Sequence, residues 1–361
     1  MDNIMNNGQS RRQFLSSSAA LAALSLVPAG LSSCKGQPAE TNGAVAVADS
    51  SKPNSVFGGV QIGTITYSWR DQPGGLENIV KYCQQTGINS IELMSGDLEA
   101  YLGAPENPRM KFFRRPPAAP PAGGGNAAPP QRRTGPPQLT AEQQAELDNY
   151  NQEIIKWRLS LSMSKVEEAR KLLNDAGISA HIVKFSPARW SDEEIDYAFT
   201  VAKAMGAKGV TEEIGEAAVR KLGPIAEKHD MYAVFHNHMQ YAEEGFDIDP
   251  FLAVSPAVML NFDAGHFFGS TGIHPNEMIK KYHDRIYSIH LKDKTGPKAE
   301  EPNANQVWGQ GEMPIEDVLL LIKEKQWPIY CDIELEYAVK PWSNSIKEVR
   351  NCVNYARQIL I

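Results

Sequence analysis

Residues 258–293 read VMLNFDAGHFFGSTGIHPNEMIKKYHDRIYSIHLKD and contain one complete strand–helix–strand unit. An apolar, β-rich run ends at Asp263, an amphipathic stretch from Pro275 to Tyr282 predicts a helix, and a second β-rich run ends around His290. Both β-rich runs therefore finish in a carboxylate or an imidazole. Parallel strands of an α/β barrel deliver such groups to one end of the barrel, where the loops build the active site. The stretch predicts a parallel α/β fold with a polar site at the carboxyl ends of its strands.

The same alternation of short β-rich segments and longer amphipathic segments continues along the chain. Eight strands are predicted, at Val60–Thr66, Ser90–Leu93, Ala180–Phe185, Gly209–Thr211, Tyr232–His236, Val258–Asp263, Ile286–Leu291 and Ile329–Glu334. Helical stretches are predicted at Leu76–Thr86, Glu142–Ala176, Asp192–Met205, Glu216–His229, Pro250–Val254, Pro275–Tyr282, Ile315–Lys325 and Asn344–Ile359. Eight alternating units predict a closed (β/α)8 TIM barrel. An open doubly wound sheet is disfavoured because the phosphate-binding patterns GxGxxG and GxxxxGK[ST] are absent from the sequence.

The first 33 residues predict an export signal. The pattern SRRQFL at residues 10–15 is typical of twin-arginine export, and the apolar run at 19–29 is too short to span a membrane. The sequence LSSC at residues 31–34 has the form of a lipoprotein processing site. We therefore expect residues 1–33 to be removed and Cys34 to be lipidated. The expected product is exported, periplasmic and attached to the membrane only through its lipid anchor.

Two further segments differ in composition from the predicted barrel, which we place at residues 57–361. Residues 34–56 are rich in Gly, Ala, Ser and Pro and predict a flexible tether. Residues 103–137 are dominated by Pro, Gly and Ala and predict an exposed insertion loop after the second strand, on the catalytic face. A lid or docking arm is one interpretation of this loop, and a solvated insertion is the favoured one.

Composition restricts the class of function. The chain has 361 residues, with 36 Lys+Arg against 43 Asp+Glu and a net charge of −7. This acidic balance argues against nucleic acid as a partner, because phosphate binding needs a basic surface. With Cys34 assigned to lipidation, Cys83, Cys331 and Cys352 predict buried thiols rather than a disulfide framework or a zinc site.

The strand ends predict a metal site. Asp263 and His290 end two neighbouring strands, and a carboxylate with a neutral imidazole suits Mn, Co, Zn, Fe or Mg. Glu334 and Glu336 have the same parity on the last strand, so both are expected to face the barrel mouth. One of them is expected to bind the metal and the other, Glu336, to act on the substrate as a base. His266 lies three residues beyond Asp263, within reach of the same cavity.

These residues resemble the sugar phosphate isomerase/epimerase family, whose members have a xylose isomerase-like barrel. The resemblance covers residues 60–361 outside the insertion and rests on Asp263-Ala-Gly-His266, on HLKD at 290–293 and on GQGE at 309–312. It implies that Asp263, His290 and Glu334 are metal ligands and that His266 contacts the substrate.

The chain departs from this family pattern at the fourth ligand. Where many members place a ligand glutamate on the fifth strand, residues 235–238 read FHNH. Either His236 replaces that ligand, or the carboxylate comes from the preceding strand, where Glu213 is available. We favour Glu213 as the ligand, with His236 and His238 as acid/base or substrate-contacting groups near the metal.

Three more residues are candidates for substrate binding. Trp69 follows the first strand, Trp308 precedes the seventh helix, and either aromatic ring can stack on a sugar or simply pack in the core. Lys184 ends the third strand and can contact substrate oxygens or be solvated at the surface. Glu92 on the second strand has the same two interpretations.

The expected chemistry is removal of a proton next to a carbonyl. A divalent metal polarises a carbonyl and a neighbouring hydroxyl, and a carboxylate or imidazole takes the proton to give an enediolate. The leading hypothesis is an isomerase or epimerase of a non-phosphorylated sugar or keto-sugar, because sugar phosphates are cytosolic and export is predicted. The alternatives are a lyase or dehydratase acting on a keto-sugar or keto-glycoside, and a non-catalytic sugar-binding lipoprotein. The sequence leaves the sugar, the metal and the oligomeric state open.

Overall fold

The computed structural model describes residues 52–112 and 139–361, so the signal, Cys34 and most of the insertion lie outside the described residues. The strands are β1 (Val56–Phe57), β2 (Val60–Ile65), β3 (Ser90–Met94), β4 (Ser179–Lys184), β5 (Gly209–Glu213), β6 (Tyr232–His236), β7 (Val258–Asp263), β8 (Ile286–Leu291), β9 (Asp293–Lys294), β10 (Asn305–Gln306) and β11 (Tyr330–Ile333).

Eight of these strands form a closed parallel barrel. Strands β2 to β8 and then β11 pair in sequence order, and β2 also pairs with β11, which closes the sheet. All eight barrel pairings are parallel. The predicted TIM barrel is therefore confirmed, with three of the eight strands, at Tyr232–His236, Val258–Asp263 and Ile286–Leu291, at their predicted bounds.

Helices cover the outside of the barrel, and their apolar faces pack on the outward side chains of the strands. They are α1 (Leu76–Thr86), α2 (Ser95–Leu102), α3 (Arg109–Phe112), α4 (Ala141–Ser160), α5 (Met163–Asp175), α6 (Asp192–Ala204), α7 (Glu216–Lys228), α8 (Asp249–Leu252), α9 (Ala264–Thr271), α10 (Pro275–Tyr282), α11 (Ile315–Lys325) and α12 (Ser345–Leu360). Within the described ranges, none of them is both long and apolar enough to cross a membrane.

The single helix predicted over Glu142–Ala176 is wrong, because the chain breaks between α4 and α5. Leu161 and Ser162 adopt extended backbone with ψ of 130° and 127°, which ends one helix and begins the next. Both flanking segments are rich in helix-forming residues, and the only sign of the break is the pair Ser160 and Ser162, a residue type that favours helix N-caps. The break gives the two helices different contacts. Helix α4 packs on α6, whereas α5 packs both on α6 and on strand β4.

The folded region begins slightly earlier than the predicted barrel boundary at residue 57. Val56 and Phe57 pair antiparallel with β2, and the buried Ser55 donates a hydrogen bond from Oγ to the carbonyl of Ile62 at 2.6 Å. The carboxyl end of the predicted tether is thus part of the sheet in the structure.

Two register shifts alter the barrel interior. His181 on β4 has no partner residue on β3, and Tyr287 on β8 has none on β7, because one residue is skipped at each place. Such irregularities change the direction of a side chain. The His181 ring stacks on Tyr330 at 4.1 Å, and its Nε2 lies 2.9 Å from Asp332 Oδ2. The interior below the carboxyl ends of the strands is therefore polar and aromatic.

Candidate metal and acid/base site

Four side chains converge at the carboxyl ends of four neighbouring barrel strands. His236 ends β6, Asp263 ends β7, His290 lies one residue before the end of β8, and Glu334 directly follows β11. One ligand atom from each lies within 4.8 Å of the others, and all four side chains are buried. We call this set the four-ligand group. The structure thus brings together Asp263, His290 and Glu334, as the sequence predicts, and adds His236.

Local sequence explains how Asp263 and its loop are held. Asp263 Oδ1 accepts a hydrogen bond from the backbone N–H of His266 at 2.6 Å and so caps α9. Asn237 holds the same turn, because its side chain accepts from the Asp263 N–H at 2.9 Å. Gly265 has no Cβ, and a Cβ there would lie 2.2 Å from Cγ of Lys292. The glycine therefore allows α9 to approach the lysine closely.

Lys292 is a site residue to which the sequence interpretation gave no role. Its Nζ lies 2.9 Å from Asp263 Oδ2, 2.7 Å from Glu334 Oε2 and 2.8 Å from Glu336 Oε2. Burial alone would lower the pKa of Lys292, but Asp263 and the two glutamates outweigh burial and raise it, so the side chain is an ammonium. The signal was present in the sequence, because Lys292 lies two residues after His290, on the same face of an extended chain.

His290 is held on both sides by carboxylates. Its Nδ1 lies 2.8 Å from Glu334 Oε2 and its Nε2 lies 2.6 Å from Glu92 Oε2. Burial would lower the pKa of His290, but Glu334 and Glu92 raise it well above its usual value. Conversely, burial would raise the pKa of Glu334, but Lys292 and His290 hold it well below its usual value. The negative charge of the carboxylates is thus balanced by a proton on the imidazole and by the lysine.

Several buried atoms around the four-ligand group have no hydrogen-bond partner. They include Asp263 Oδ2, His236 Nδ1 and His266 Nδ1. Asp263 Oδ2 is in ion-pair contact with Lys292 but accepts no hydrogen bond. Burial and the nearby His290 hold the pKa of His236 well below its usual value, and burial with Lys292 and Lys294 lowers the pKa of His266 to about 3. A neutral imidazole is the form that binds a metal, so His236 and His266 are in that form, whereas His290 would release a proton on metal binding.

Two acid/base pairs lie beside the four-ligand group. His266 Nε2 lies 3.7 Å from Glu336 Oε2, and His238 Nδ1 lies 3.6 Å from Glu213 Oε2. The rings of His238 and His266 meet edge to face with centroids 5.0 Å apart. Both pairs are partly exposed, so they line the mouth above the buried group.

The structure distinguishes between Glu213 and His236. Glu213 Oε1 accepts a hydrogen bond from Lys184 Nζ at 2.6 Å, and the side chain is 40% exposed. It lies outside the four-ligand group, whereas His236 is 2% exposed and belongs to it. Of the two candidates for the fourth ligand, the structure brings His236 and not Glu213 into the four-ligand group.

The two tryptophans predicted to bind substrate are buried in apolar packing. Trp69 is 2% exposed and packs on Tyr82 with ring centroids 5.6 Å apart. Trp308 is 7% exposed and packs edge-on against Tyr355 of α12. Lys184, the third such residue, lies at the mouth but is paired with Glu213. Among the described contacts, neither tryptophan touches the four-ligand group.

The sequence matches a family profile over residues 146–354, more than half of the chain, and that family is described as xylose isomerase-like TIM barrel. The chain belongs to the xylose isomerase-like TIM barrel family. The match spans β4 to β11 and therefore includes the whole four-ligand group.

Within this family, the chain is similar to inosose dehydratases of clostridia. It is 30% identical to the inosose dehydratase of Clostridium perfringens over 162 residues, which is 37% of this chain and 53% of the relative. It is 32% identical to that of Clostridium botulinum over 151 residues, which is 34% of this chain and 49% of the relative. The chain thus spans about half the length of the curated relatives it matches.

Solved structures of xylose isomerase-like barrels share the fold at low identity. A xylose isomerase domain protein from Alicyclobacillus acidocaldarius matches with a TM-score of 0.54 and 11% identity, covering 83% of this chain and 99% of that one. A probable 3-DHS dehydratase involved in petrobactin synthesis in Bacillus anthracis matches with a TM-score of 0.52 and 12% identity, covering 82% and 98%. A sugar phosphate isomerase/epimerase from Parabacteroides distasonis matches with a TM-score of 0.51 and 14% identity, covering 82% and 95%. These likenesses show the fold alone.

Proposed function

We propose that the protein is a divalent-metal-dependent enzyme that removes the proton next to a carbonyl of a non-phosphorylated sugar or keto-sugar and then eliminates a β-oxygen substituent. The observation that carries the proposal is the four-ligand group, His236, Asp263, His290 and Glu334, with two adjoining acid/base pairs at the mouth beside it. A lyase or dehydratase needs a general base that takes the proton from carbon and a general acid that protonates the leaving oxygen.

The four-ligand group fits a metal by its own chemistry. Two imidazoles and two carboxylates form a mixed nitrogen and oxygen ligand set, in which Asp263 Oδ2 makes no hydrogen bond and lies 3.8 Å from His236 Nε2. Such a set suits Mn, Fe, Co or Zn better than Mg, which prefers oxygen ligands and bound water. When bound, the metal would supply Lewis-acid polarisation of a substrate carbonyl, which makes the neighbouring proton more acidic.

The residues of the chain account for the proton transfers. Glu336 lies at the mouth, with Oε2 2.8 Å from Lys292 Nζ and 3.7 Å from His266 Nε2, so two basic side chains fix its position. We assign Glu336 as the base that takes the proton. His238, with Glu213 3.6 Å away, is the acid that protonates the departing oxygen. The proton leaves carbon, the carbon–oxygen bond breaks, and water or an alcohol departs.

Elimination is the first candidate reaction, because the clostridial proteins to which the chain is similar are inosose dehydratases. Epimerisation or isomerisation is the second candidate, and the presence of two acid/base pairs beside the group favours it. One pair could remove the proton and the other could return it. Both reactions share the first step, and they differ only in whether the β-oxygen leaves.

The charges at the mouth support a substrate without phosphate. Lys184 is paired with Glu213, Lys292 is paired with Asp263, Glu334 and Glu336, and the buried Lys294 near His266 donates to Asn305 Oδ1 at 2.7 Å. A phosphate monoester would need uncompensated cations, typically an arginine fork or a helix N-terminus. Hydroxyl and carbonyl groups of a neutral sugar match these paired, hydrogen-bonding side chains better.

The test is product analysis with metal-loaded protein in deuterated water. We expect a panel of keto-sugars, keto-glycosides and an inosose to include a substrate that yields an unsaturated or enolised product by NMR, at a rate that depends on added Mn²⁺ or Co²⁺. A product of unchanged composition that carries deuterium at the carbon next to the carbonyl would replace elimination by epimerisation or isomerisation. A protein that binds no divalent metal would refute the proposal as a whole.

A further inference from the structure

Glu92 contacts the four-ligand group through His290, at the ring nitrogen opposite the one that faces Glu334. It belongs to β3, and its carboxylate is fully buried. Glu92 Oε2 lies 2.6 Å from His290 Nε2, whereas His290 Nδ1 faces Glu334 and the four-ligand group. The two nitrogens of this imidazole therefore face opposite directions, one toward the group and one toward the barrel interior.

A chain of buried side chains fixes which nitrogen carries the hydrogen. Asn261 Nδ2 donates to Glu92 Oε2 at 2.9 Å and also lies 3.1 Å from His290 Nε2, and Ser288 Oγ donates to Asn261 Oδ1 at 2.7 Å. His290 Nε2 lies nearer to Glu92 Oε2, at 2.6 Å, than to Asn261 Nδ2, at 3.1 Å, and of these two atoms only the carboxylate oxygen can accept an N–H. This geometry makes His290 Nε2 the donor to Glu92. With a metal bound, Nδ1 is left as the nitrogen whose lone pair points at the four-ligand group.

We infer that Glu92 is a positioning residue that fixes the tautomer and ring orientation of His290 for metal binding, and that Asn261 and Ser288 fix Glu92 in turn. Metal-binding histidines commonly donate their second N–H to a carboxylate, and the loss of such a partner typically weakens metal binding about 10- to 100-fold. Glu92 thus acts on His290 and not on the substrate. Its role rests on the proposed function in one respect, namely that His290 binds a metal.

A comparison residue is present in the same barrel, although one of the oxygens of Asp332 lies within 4.8 Å of ligand atoms of Glu92 and His290. Asp332 is also fully buried, and its Oδ2 lies 2.9 Å from Nε2 of a histidine, but that histidine is His181. His181 is not in the four-ligand group. Asp332→Asn and Glu92→Gln therefore both neutralise a buried carboxylate bonded to an imidazole, and only one of these imidazoles is a proposed metal ligand.

The experiment measures Mn²⁺ affinity by titration, with the melting temperature of each metal-free variant as a check on folding. We expect Glu92→Gln to bind Mn²⁺ about 10- to 100-fold more weakly than the wild type, and Asp332→Asn to bind it as the wild type does. Equal affinity of Glu92→Gln and the wild type would overturn the positioning role, and so would an equal loss in Asp332→Asn. A wild type that binds no Mn²⁺ would refute the proposed function and the role of Glu92 together.

A second readout does not depend on affinity. In Zn²⁺-loaded, ¹⁵N-histidine-labelled protein, the His290 resonances, assigned by their loss in His290→Gln, should show a metal-bound Nδ1 and a protonated Nε2. Glu92→Leu should broaden these signals or change the tautomer, because the acceptor is gone, whereas Asp332→Asn should leave them unchanged. Zn²⁺ bound through Nε2 in the wild type would contradict the inference directly. If Glu92→Leu does not fold, the wild-type spectrum alone decides this point.

Discussion

Lys292 Nζ lies 2.7 Å from Glu334 Oε2, so an ammonium group lies within the carboxylates that are proposed to bind a metal. The same nitrogen lies 2.9 Å from Asp263 Oδ2. In the metal-free protein, this lysine is the counter-ion of the site. A metal and the lysine therefore compete for the same oxygens.

Lys292→Met should destabilise the metal-free protein and strengthen metal binding. Removal of one partner of a buried ion pair leaves the carboxylates uncompensated and typically costs about 3–5 kcal/mol. Mn²⁺ should restore the stability of the variant. It should also bind at least about tenfold more tightly, because the repulsion from a unit positive charge about 4 Å away is roughly 4 kcal/mol in an effective dielectric of about 20. Urea unfolding with and without Mn²⁺ measures both effects. The control Lys325→Met removes an exposed pair with Glu324 and should change stability by less than about 1 kcal/mol.

Substitution of the two candidates for the fourth ligand should separate metal binding from rate. His236→Ala should weaken metal binding more than the loss of a residue that only bonds to a ligand, which typically costs about 10- to 100-fold in affinity. The reason is that the imidazole itself belongs to the four-ligand group. Glu213→Gln should still bind the metal but turn over substrate more slowly, because its carboxylate faces Lys184 and His238. Metal analysis and turnover of both variants measure this. The opposite pattern would identify Glu213 as the ligand after all.

The strand ends could be predicted from sequence, but the contacts around them could not. Asp263 and His290 end apolar, β-rich runs, and parallel strands bring such ends together. The sequence does not show which partner each side chain takes. Glu213 was favoured as a ligand because a carboxylate was expected, and only the structure shows Lys184 bonded to it at 2.6 Å.

Two helical features were also beyond a sequence prediction. Helix α9 is short and contains two glycines, so its pattern gives no helical period; its stability comes from the Asp263 cap and from packing on Lys292. The break between α4 and α5 lies at Leu161 and Ser162, and Ser162 is the N-cap of α5. A cap-forming serine alone does not interrupt a long helical pattern, and Arg158, in the last turn of α4, is bonded to two other helices.

Arg158→Met should strongly destabilise the barrel, because Arg158 joins α4 to two other helices. Its guanidinium bonds Glu99 of α2 at 2.8 Å and Glu194 of α6 at 3.0 Å, and it stacks on the Trp190 ring at 3.6 Å. Loss of the cation leaves two buried carboxylates and should cost about 3–5 kcal/mol in urea unfolding. Arg220→Met, which removes an exposed pair with Glu216, is the control at less than about 1 kcal/mol. Equal effects of both variants would show that the buried network contributes little.

Export is proposed from residues outside the described ranges and needs its own test. Arg11→Lys combined with Arg12→Lys should retain the protein in the cytoplasm, because twin-arginine export requires the arginine pair. Cys34→Ala should release the exported protein from the membrane fraction, since the lipid would have no attachment site. Cell fractionation and immunoblotting measure both. If both variants distribute between the cell fractions as the wild type does, the export signal and the lipid anchor are refuted.

Glu336→Gln tests the base. The substitution keeps the shape of the side chain and removes its capacity to take a proton, so metal should stay bound while the chemical step slows by roughly 100- to 10,000-fold. The measurement is the rate at which deuterium from the solvent enters the carbon next to the carbonyl, with Mn²⁺ content determined in parallel. His238→Gln should slow release of the β-oxygen substituent more than this exchange, because His238 is assigned to the later step. If deuterium enters the substrate at the wild-type rate in Glu336→Gln but more slowly in His238→Gln, the two assignments are reversed. If a deuterium label instead moves between substrate carbons without exchange with solvent, hydride transfer replaces proton abstraction.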